Sequence, residues 1–136
     1  ALPIFWRKTD HMLAMVGLDA AKDKMPSELS GGMNKRAALA RAVVLDSKIL
    51  LCDEPVSGLG PVTSREISDL IRTVSRQIKS TTVIASHDMN NAFRIADRLI
   101  LIKDGRIVLQ GSPKDFQMSS DHFVKNFLNT AEGVAT

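Results

Sequence analysis

The sequence predicts an α/β fold built on parallel strands, and three observations carry that prediction. Two short apolar runs, "KILLCD" and "TTVIASHD", both end in polar residues. An amphipathic helical pattern lies between them. Further on, two apolar runs flank Asp104-Gly105, the strongest short-range signal for a hairpin. Continuous apolar runs of this length mark strands buried on both faces, as in parallel sheets, so both runs are expected to be buried on both sides. Strand–helix–strand order then implies right-handed crossovers.

The elements follow in chain order. Over residues 9–16, Met12, Leu13 and Val16 share a helical face, and Gly17 is placed to stop the helix. "KDKMPSE" reads as a loop. After Gly31 and Gly32, Met33, Ala37, Ala40 and Val44 recur at helical spacing, with Asn34, Lys35 and Arg36 mostly facing away. "KILLCD" is the first strand, and "DEPVSGLGPVTS", with two Gly and two Pro, is a loop. Ile67, Leu70, Ile71, Val74 and Ile78 trace one face of a helix near 63–79. "TTVIASHD" is the second strand, and a short helix covers 89–96. The hairpin "RLILIKDGRIVLQG" follows. Ser112-Pro113-Lys114-Asp115 then supplies an N-cap, a Pro in the first turn and an acid at the third position of a new helix. A last helix covers 122–128, and the final residues are expected to fray.

The chain has 136 residues, enough for one domain or part of a larger one. Its hydrophobic share of 44% and charged share of 24% are those of a globular protein, not a disordered one. No apolar run approaches the roughly 18 residues that span a bilayer. The first residues, "ALPIFWRKTD", lack the charged leader and apolar segment of a signal peptide. There is no initiator Met, so the chain is expected to begin inside a longer protein. The single cysteine, Cys52, sits in the apolar run Ile49-Leu50-Leu51-Cys52 and reads as a buried structural residue. A net charge of +3 is a weak bias toward anionic partners. With no Tyr, one Trp and five scattered Phe, a platform for stacking nucleic-acid bases is poorly supported.

In open α/β sheets, ligands sit beyond the carboxyl ends of the strands. Asp53-Glu54 closes the first strand and Ser86-His87-Asp88 the second, so both polar clusters are expected at one site. An Asp there is well placed to hold Mg²⁺, directly or through water, beside substrate phosphates. A Glu next to it can polarise an attacking water, and a His can stabilise developing phosphate charge. Ser30-Gly31-Gly32 at a helix start offers backbone N–H groups and the positive end of the helix dipole, which suit a phosphate. Taken singly, these residues also fit a plain structural reading. Asp53 and Glu54 would be solubilising charges, His87 a capping residue, and the serine an ordinary N-cap before a glycine turn.

In combination the motifs are more specific. "LSGGM", then Arg36, then Ala40-Arg41-Ala42, then "ILLCDEP", then "SGLG", then His87-Asp88 resembles the ATP-binding-cassette (ABC) ATPases, over about residues 25–115 and in that family's order and spacing. The resemblance implies a partial P-loop NTPase (RecA-like) core with parallel strands, a C-terminal β-hairpin and part of the ABC helical subdomain. It divides the chain into residues 1–44 (helical subdomain with the signature loop and helix), 45–112 (C-terminal half of the ATPase core) and 113–136 (helical tail). By it, Ser30, Gly31 and Gly32, with Met33 in place of the usual Gln, form the signature loop that contacts ATP bound to the opposite subunit. Asp53 matches the Walker B acid that holds Mg²⁺, Glu54 the catalytic base, and His87 the switch histidine. Ser57, Gly58, Leu59 and Gly60 match the D-loop at the dimer interface.

"LSGGMNKRAALARA", "AFRIADRLILIKDGRIVLQGSP" and the tail "SSDHFVKNFLN" also look like the ATPase subunit of Mla-type transporters, which move phospholipid between the membranes of Gram-negative envelopes. ATP and Mg²⁺ as cofactors are implied, with a second nucleotide-binding subunit and a membrane permease as partners. So is a cytoplasmic location, peripheral on the inner membrane. Two departures stand out. No G-x-x-x-x-G-K-[ST] phosphate loop occurs, so the chain reads as the C-terminal half of a nucleotide-binding domain, and "ALPIFWRK" as a stretch near the permease contact. Gly60 also stands where the D-loop normally has Asp. These departures open a second reading, a non-hydrolysing subunit that lends its signature loop to a competent partner. A third, a nucleic-acid-binding module, would use the basic helix from Lys35 to Arg41.

Overall fold

A computed structural model of the chain describes residues 2–132. They fall into two compact units, one ending at Ala85 and the other beginning at Ser86. The first unit runs α1 (Leu2–Met15), two 3₁₀ turns (Asp19–Ala21 and Pro26–Glu28), α2 (Gly31–Val43), β1 (Ile49–Asp53), α3 (Pro61–Gln77) and β2 (Thr81–Ala85).

Helix α1 starts about two turns before the periodic pattern does. Pro3 is tolerated in its first turn, where no N–H partner is needed. Ile4, Phe5 and Trp6 are exposed, so they do not extend the buried stripe that made the rest of the helix legible. The helix ends as Gly17 predicts. Gly17 takes φ +70°, its N–H donates to the Ala14 carbonyl (3.0 Å), and Leu18 N–H donates to the Leu13 carbonyl (2.8 Å). This is a Schellman cap.

Helix α2 buries Leu39, Ala40 and Val43, with Met33, Ala37 and Val44 partly buried beside them. Arg36, expected to face away with Asn34 and Lys35, is instead half-buried and donates to the Val16 carbonyl. Helix α3 buries Ile67, Ile71 and Val74, the predicted face, together with Ser64, Ser68 and Ser75. At its end Ser75 Oγ donates to the Ser80 carbonyl at 2.9 Å, fixing the turn into β2.

Strands β1 and β2 pair in parallel, in register from Ile49 opposite Thr81 to Asp53 opposite Ala85. The expected burial on both faces is corrected here. Leu50 is 4% exposed and packs into the core with Met12, Val16, Val43, Val56, Ile67 and Val74, and Cys52 and Ile84 are partly buried beside it. On the alternate positions Ile49, Leu51 and Val83 are 64%, 74% and 55% exposed. An apolar run states that a strand can be covered on both sides. Whether it is covered depends on the elements packed against it, and the core of this unit lies on one face only.

The second unit runs α4 (Met89–Ile95), β3 (Leu99–Lys103), β4 (Arg106–Gly111), α5 (Pro113–Gln117) and α6 (His122–Glu132). β3 and β4 form the predicted antiparallel hairpin. Asp104 and Gly105 both take positive φ (49° and 72°), as a type I′ turn requires. Leu101, Phe116 and Val124 form the core, ringed by Phe93, Leu99, Leu109, Phe123, Phe127 and Leu128. Phe93 and Phe116 meet edge to face, with centroids 6.1 Å apart. Helix α6 runs on to Glu132, four residues past the predicted 128, so the expected fraying is corrected there; residues 133–136 lie outside the described residues.

The predicted cap of α5 forms as a full capping box. Ser112 Oγ accepts from Asp115 N–H (3.3 Å), and Asp115 Oδ2 accepts from Ser112 N–H (2.7 Å). The hydrogen bonds from the Ser112 side chain and backbone hold the Asp115 carboxyl below its ordinary range. A depressed folded-state value means this stabilisation is complete above the unfolded carboxylate's ordinary value, about 3.9, and is lost as pH falls through the lower folded one. Thermal unfolding of wild type against Asp115→Asn should therefore differ at neutral pH and converge in acid.

Candidate functional site

Each predicted residue of the first unit sits at an element boundary, and local chemistry explains why. Ser30 is the N-cap of α2, in extended conformation, and its Oγ accepts from Met33 N–H at 3.3 Å. Its carbonyl accepts from Asn34 N–H at 2.8 Å. Gly31 and Gly32 form the first turn, where N–H groups have no intrahelical acceptor. Ser30 and Gly31 are exposed. Met33 contributes its N–H to the cap, while its side chain packs against the core.

Gly32 also serves a close approach. A Cβ on Gly31 would lie 3.5 Å from Leu59 Cδ2, an ordinary contact, whereas one on Gly32 would lie 3.0 Å from Thr63 Cγ2, tighter than ordinary packing. The glycine turn is thus seated on the loop and helix that follow β1. Sequence reasoning missed Thr63, because nothing in its local pattern signals a tertiary contact.

Asp53 ends β1 opposite Ala85 and is exposed. Glu54 breaks out of the strand: its φ is +44°, a left-handed conformation in a non-glycine residue that also precedes a proline. Such a conformation costs on the order of 1–3 kcal/mol and persists only where its surroundings fix it. Two bonds do so: Glu54 N–H donates to the Ala85 carbonyl at 2.9 Å, and Ser57 N–H donates to the Glu54 carbonyl at 3.1 Å. The strand pairing therefore extends one residue past Asp53 and turns the chain at the acid.

Buried Val56 anchors the loop that follows, and Gly58 takes φ +76°. Leu59 N–H donates to the Val56 carbonyl (3.3 Å), and the Leu59 carbonyl accepts from Ser64 Oγ (3.3 Å). Ser57, Gly58 and Gly60 are exposed. Gly60 is the N-cap of α3 but has no side chain to cap with; its φ and ψ of −68° and 165° suit an Asx or Ser cap, and nothing lies within 4 Å of a Cβ placed there. Gly60→Asp should fit without strain and raise the unfolding free energy by a few tenths of a kcal/mol, measured by urea titration.

His87 belongs to the second unit and is exposed. The residue that caps α4 is Asp88, not His87. Asp88 Oδ1 accepts from Asn91 N–H at 3.0 Å, Asn91 Nδ2 donates to Asp88 Oδ2, and Arg94 Nη2 donates to Asn91 Oδ1 at 3.0 Å. Asp88 N–H in turn donates to Ser86 Oγ (3.0 Å). Buried Asn91, which the sequence did not single out, is the hinge of this network.

Cys52 is half-buried, and burial pushes its thiol up, so it stays protonated at neutral pH and fits the structural role. Among the described residues, no three His, Cys, Asp or Glu side chains are grouped around a metal position. An exposed strand-end Asp53 still suits Mg²⁺, which keeps several waters and takes one or two carboxylates alongside substrate phosphates.

The chain as a whole is similar to known proteins. The family model described as ABC transporter matches residues 4–57. The probable ribonucleotide transport ATP-binding protein mkl of Mycobacterium tuberculosis is 45% identical over 118 residues, 86% of this chain and 33% of that protein. This chain belongs to the ABC transporter ATPases. The Fe(3+) ions import ATP-binding protein FbpC 1 of Rhizobium meliloti is 36% identical over 129 residues, 94% of this chain and 36% of that one. The chain thus spans about a third of the length of the curated relatives it matches. Among solved structures, cbiO1 of Clostridium perfringens, part of the ABC transporter complex cbiONQ, aligns with a TM-score of 0.82 at 29% identity. The alignment covers 100% of this chain and 55% of that one. The fold is accordingly α/β with parallel strands, part of a P-loop NTPase core as found in ABC ATPases. No helix among the described residues is long and apolar enough to cross a membrane.

Proposed function

We propose that this chain is the C-terminal half of an ABC nucleotide-binding domain, and that the intact protein hydrolyses ATP to drive phospholipid transport in a bacterial envelope. One observation supports it best. Gly31 and Gly32 lie against Leu59 and Thr63, which puts the turn at residues 30–32 beside the loop at 57–60, with Ser30, Gly31, Ser57, Gly58 and Gly60 exposed. Two loops meant to face a second subunit need to share a surface in this way. Residues 1–44 would be helical subdomain, 45–112 ATPase core and 113–136 a tail.

On this reading each residue has one task. Asp53 holds Mg²⁺, through water or directly, and the ion neutralises phosphate charge when bound. Glu54 accepts a proton from the attacking water. His87 stabilises charge developing on the γ-phosphate. Gly31 and Gly32 offer N–H groups to nucleotide held by the partner subunit, and residues 57–60 line the interface between the two. The protein works with a permease from the cytoplasmic face of the inner membrane. The curated relatives are named for other cargo, so the phospholipid assignment rests on the Mla-type motifs of this sequence.

ATP-binding and hydrolysis assays test the proposal. The intact protein should turn over ATP, and with its permease in proteoliposomes it should move labelled phospholipid. Tight ATP binding by these 136 residues alone would contradict it, because the chain has no phosphate-loop lysine. A second reading, a non-hydrolysing subunit acting in trans, is favoured by Gly60 in the D-loop. Absent hydrolysis by the intact protein, with hydrolysis by a partner that needs Ser30, would establish it instead.

A further inference from the structure

We infer that Arg36 is a positioning residue for the phosphate-facing turn at residues 30–32, acting as a bridge between three helices. The inference rests on the reading of that turn given above. Its ground is an accounting of backbone groups. The Schellman cap that ends α1 satisfies the Leu13 and Ala14 carbonyls and leaves those that follow, that of Val16 among them, outside its bonds. That carbonyl lies at the negative end of the helix.

Arg36 meets it with a charge-assisted hydrogen bond, Nη1 to Val16 O at 3.1 Å. Its other terminal nitrogen, Nη2, forms an ion pair with Glu66 Oε2 of α3 at 3.5 Å. The guanidinium is planar, and its two nitrogens can hold two acceptors at fixed separation, which an ammonium cannot do.

The bridge matters because of where it sits. Arg36 lies on α2 six residues after Ser30, and Glu66 lies on α3 three residues after Thr63. The Gly32–Thr63 approach and the Arg36–Glu66 pair therefore join the same two helices at successive turns. The first contact seats the glycine turn, and the second stops α2 from rolling on α3. The bond to Val16 fixes the same helix against α1.

Hydrogen exchange on the intact protein tests this without relying on catalysis. In Arg36→Met, which keeps the apolar stem, the hydrogen-bonded amides of Met33, Asn34 and Leu59 should exchange about tenfold faster, while those of α3 and β2 around Val74 and Val83 stay as in wild type. Arg36→Lys should be intermediate, because one ammonium can reach Val16 but cannot serve both acceptors. Glu66→Gln, a milder change at a half-exposed carboxylate, should show a smaller effect confined to the same amides. Unchanged exchange at Met33 and Asn34 in Arg36→Met overturns the inference. A rise spread evenly over the first unit does so too, since it marks Arg36 as a general stabiliser. Steady-state ATPase separates this from the functional reading: a kcat reduced about tenfold at nearly constant KM for ATP is expected of Arg36→Met. A wild-type protein with no ATPase activity would refute the functional reading while leaving the exchange result to decide the role of Arg36.

Discussion

Replacing Glu54 by Gln in the intact protein should lower ATP hydrolysis by roughly 10²- to 10⁴-fold while ATP affinity changes little, the loss typical of a positioned general base. The substitution suits the structure. Gln has the volume of Glu, so the left-handed turn at φ +44° and its bonds to Ala85 and Ser57 can persist. What changes is the ability to accept a proton from water. Single-turnover hydrolysis and equilibrium nucleotide binding separate the two effects. Equal losses of binding and turnover would mean that the turn itself had been disturbed, and would count against Glu54 as the base. Unchanged hydrolysis would remove Glu54 from the chemistry and leave its backbone strain a feature of the loop alone.

How much of this was legible in the sequence follows from the range of each interaction. The hairpin at Asp104-Gly105, the cap at Ser112 with its acid at Asp115 and the stop at Gly17 are set within five or six residues, and all three form as their residues dictate. The helical stripe of α3 was equally plain, since Ile67, Ile71 and Val74 all turn inward. Strand burial was not, because exposure of Leu51 and Val83 depends on elements remote in the chain. The first turns of α1 were missed because Ile4, Phe5 and Trp6 are apolar yet exposed, and periodicity records only a buried face.

The candidate site divides in the same way. Ser30, Asp53, Glu54 and Gly60 could be named from motif and position, as they lie where one element gives way to the next. The contacts around them, Gly32 near Thr63, Arg36 with Val16 and Glu54 with Ala85, join residues 20 or more positions apart. No local pattern encodes them. The left-handed turn at Glu54 is likewise invisible in "DEP", where the following proline argues for an extended residue.

Ser30→Arg should lower ATPase activity by about a hundredfold, the scale of a misplaced reacting geometry, while ATP binding by each subunit is retained. Two effects combine in this variant and can be told apart. Losing the serine removes the cap on Met33 N–H, worth about 1 kcal/mol of stability. Ser30→Ala removes the same cap without adding bulk, so its unfolding midpoint should match that of Ser30→Arg while most of its activity remains. The difference between the two variants is then the long cation itself. Ser30 is exposed at the mouth of the glycine turn, so an arginine there has room to extend and does not disturb the seat of Gly32 on Thr63. It would occupy the space through which a partner's nucleotide must approach Gly31 and Gly32. ATP-dependent dimerisation, followed by size-exclusion chromatography, should fail in Ser30→Arg and persist in Ser30→Ala. If Ser30→Arg dimerises and hydrolyses ATP like wild type, the turn does not face a second subunit's nucleotide.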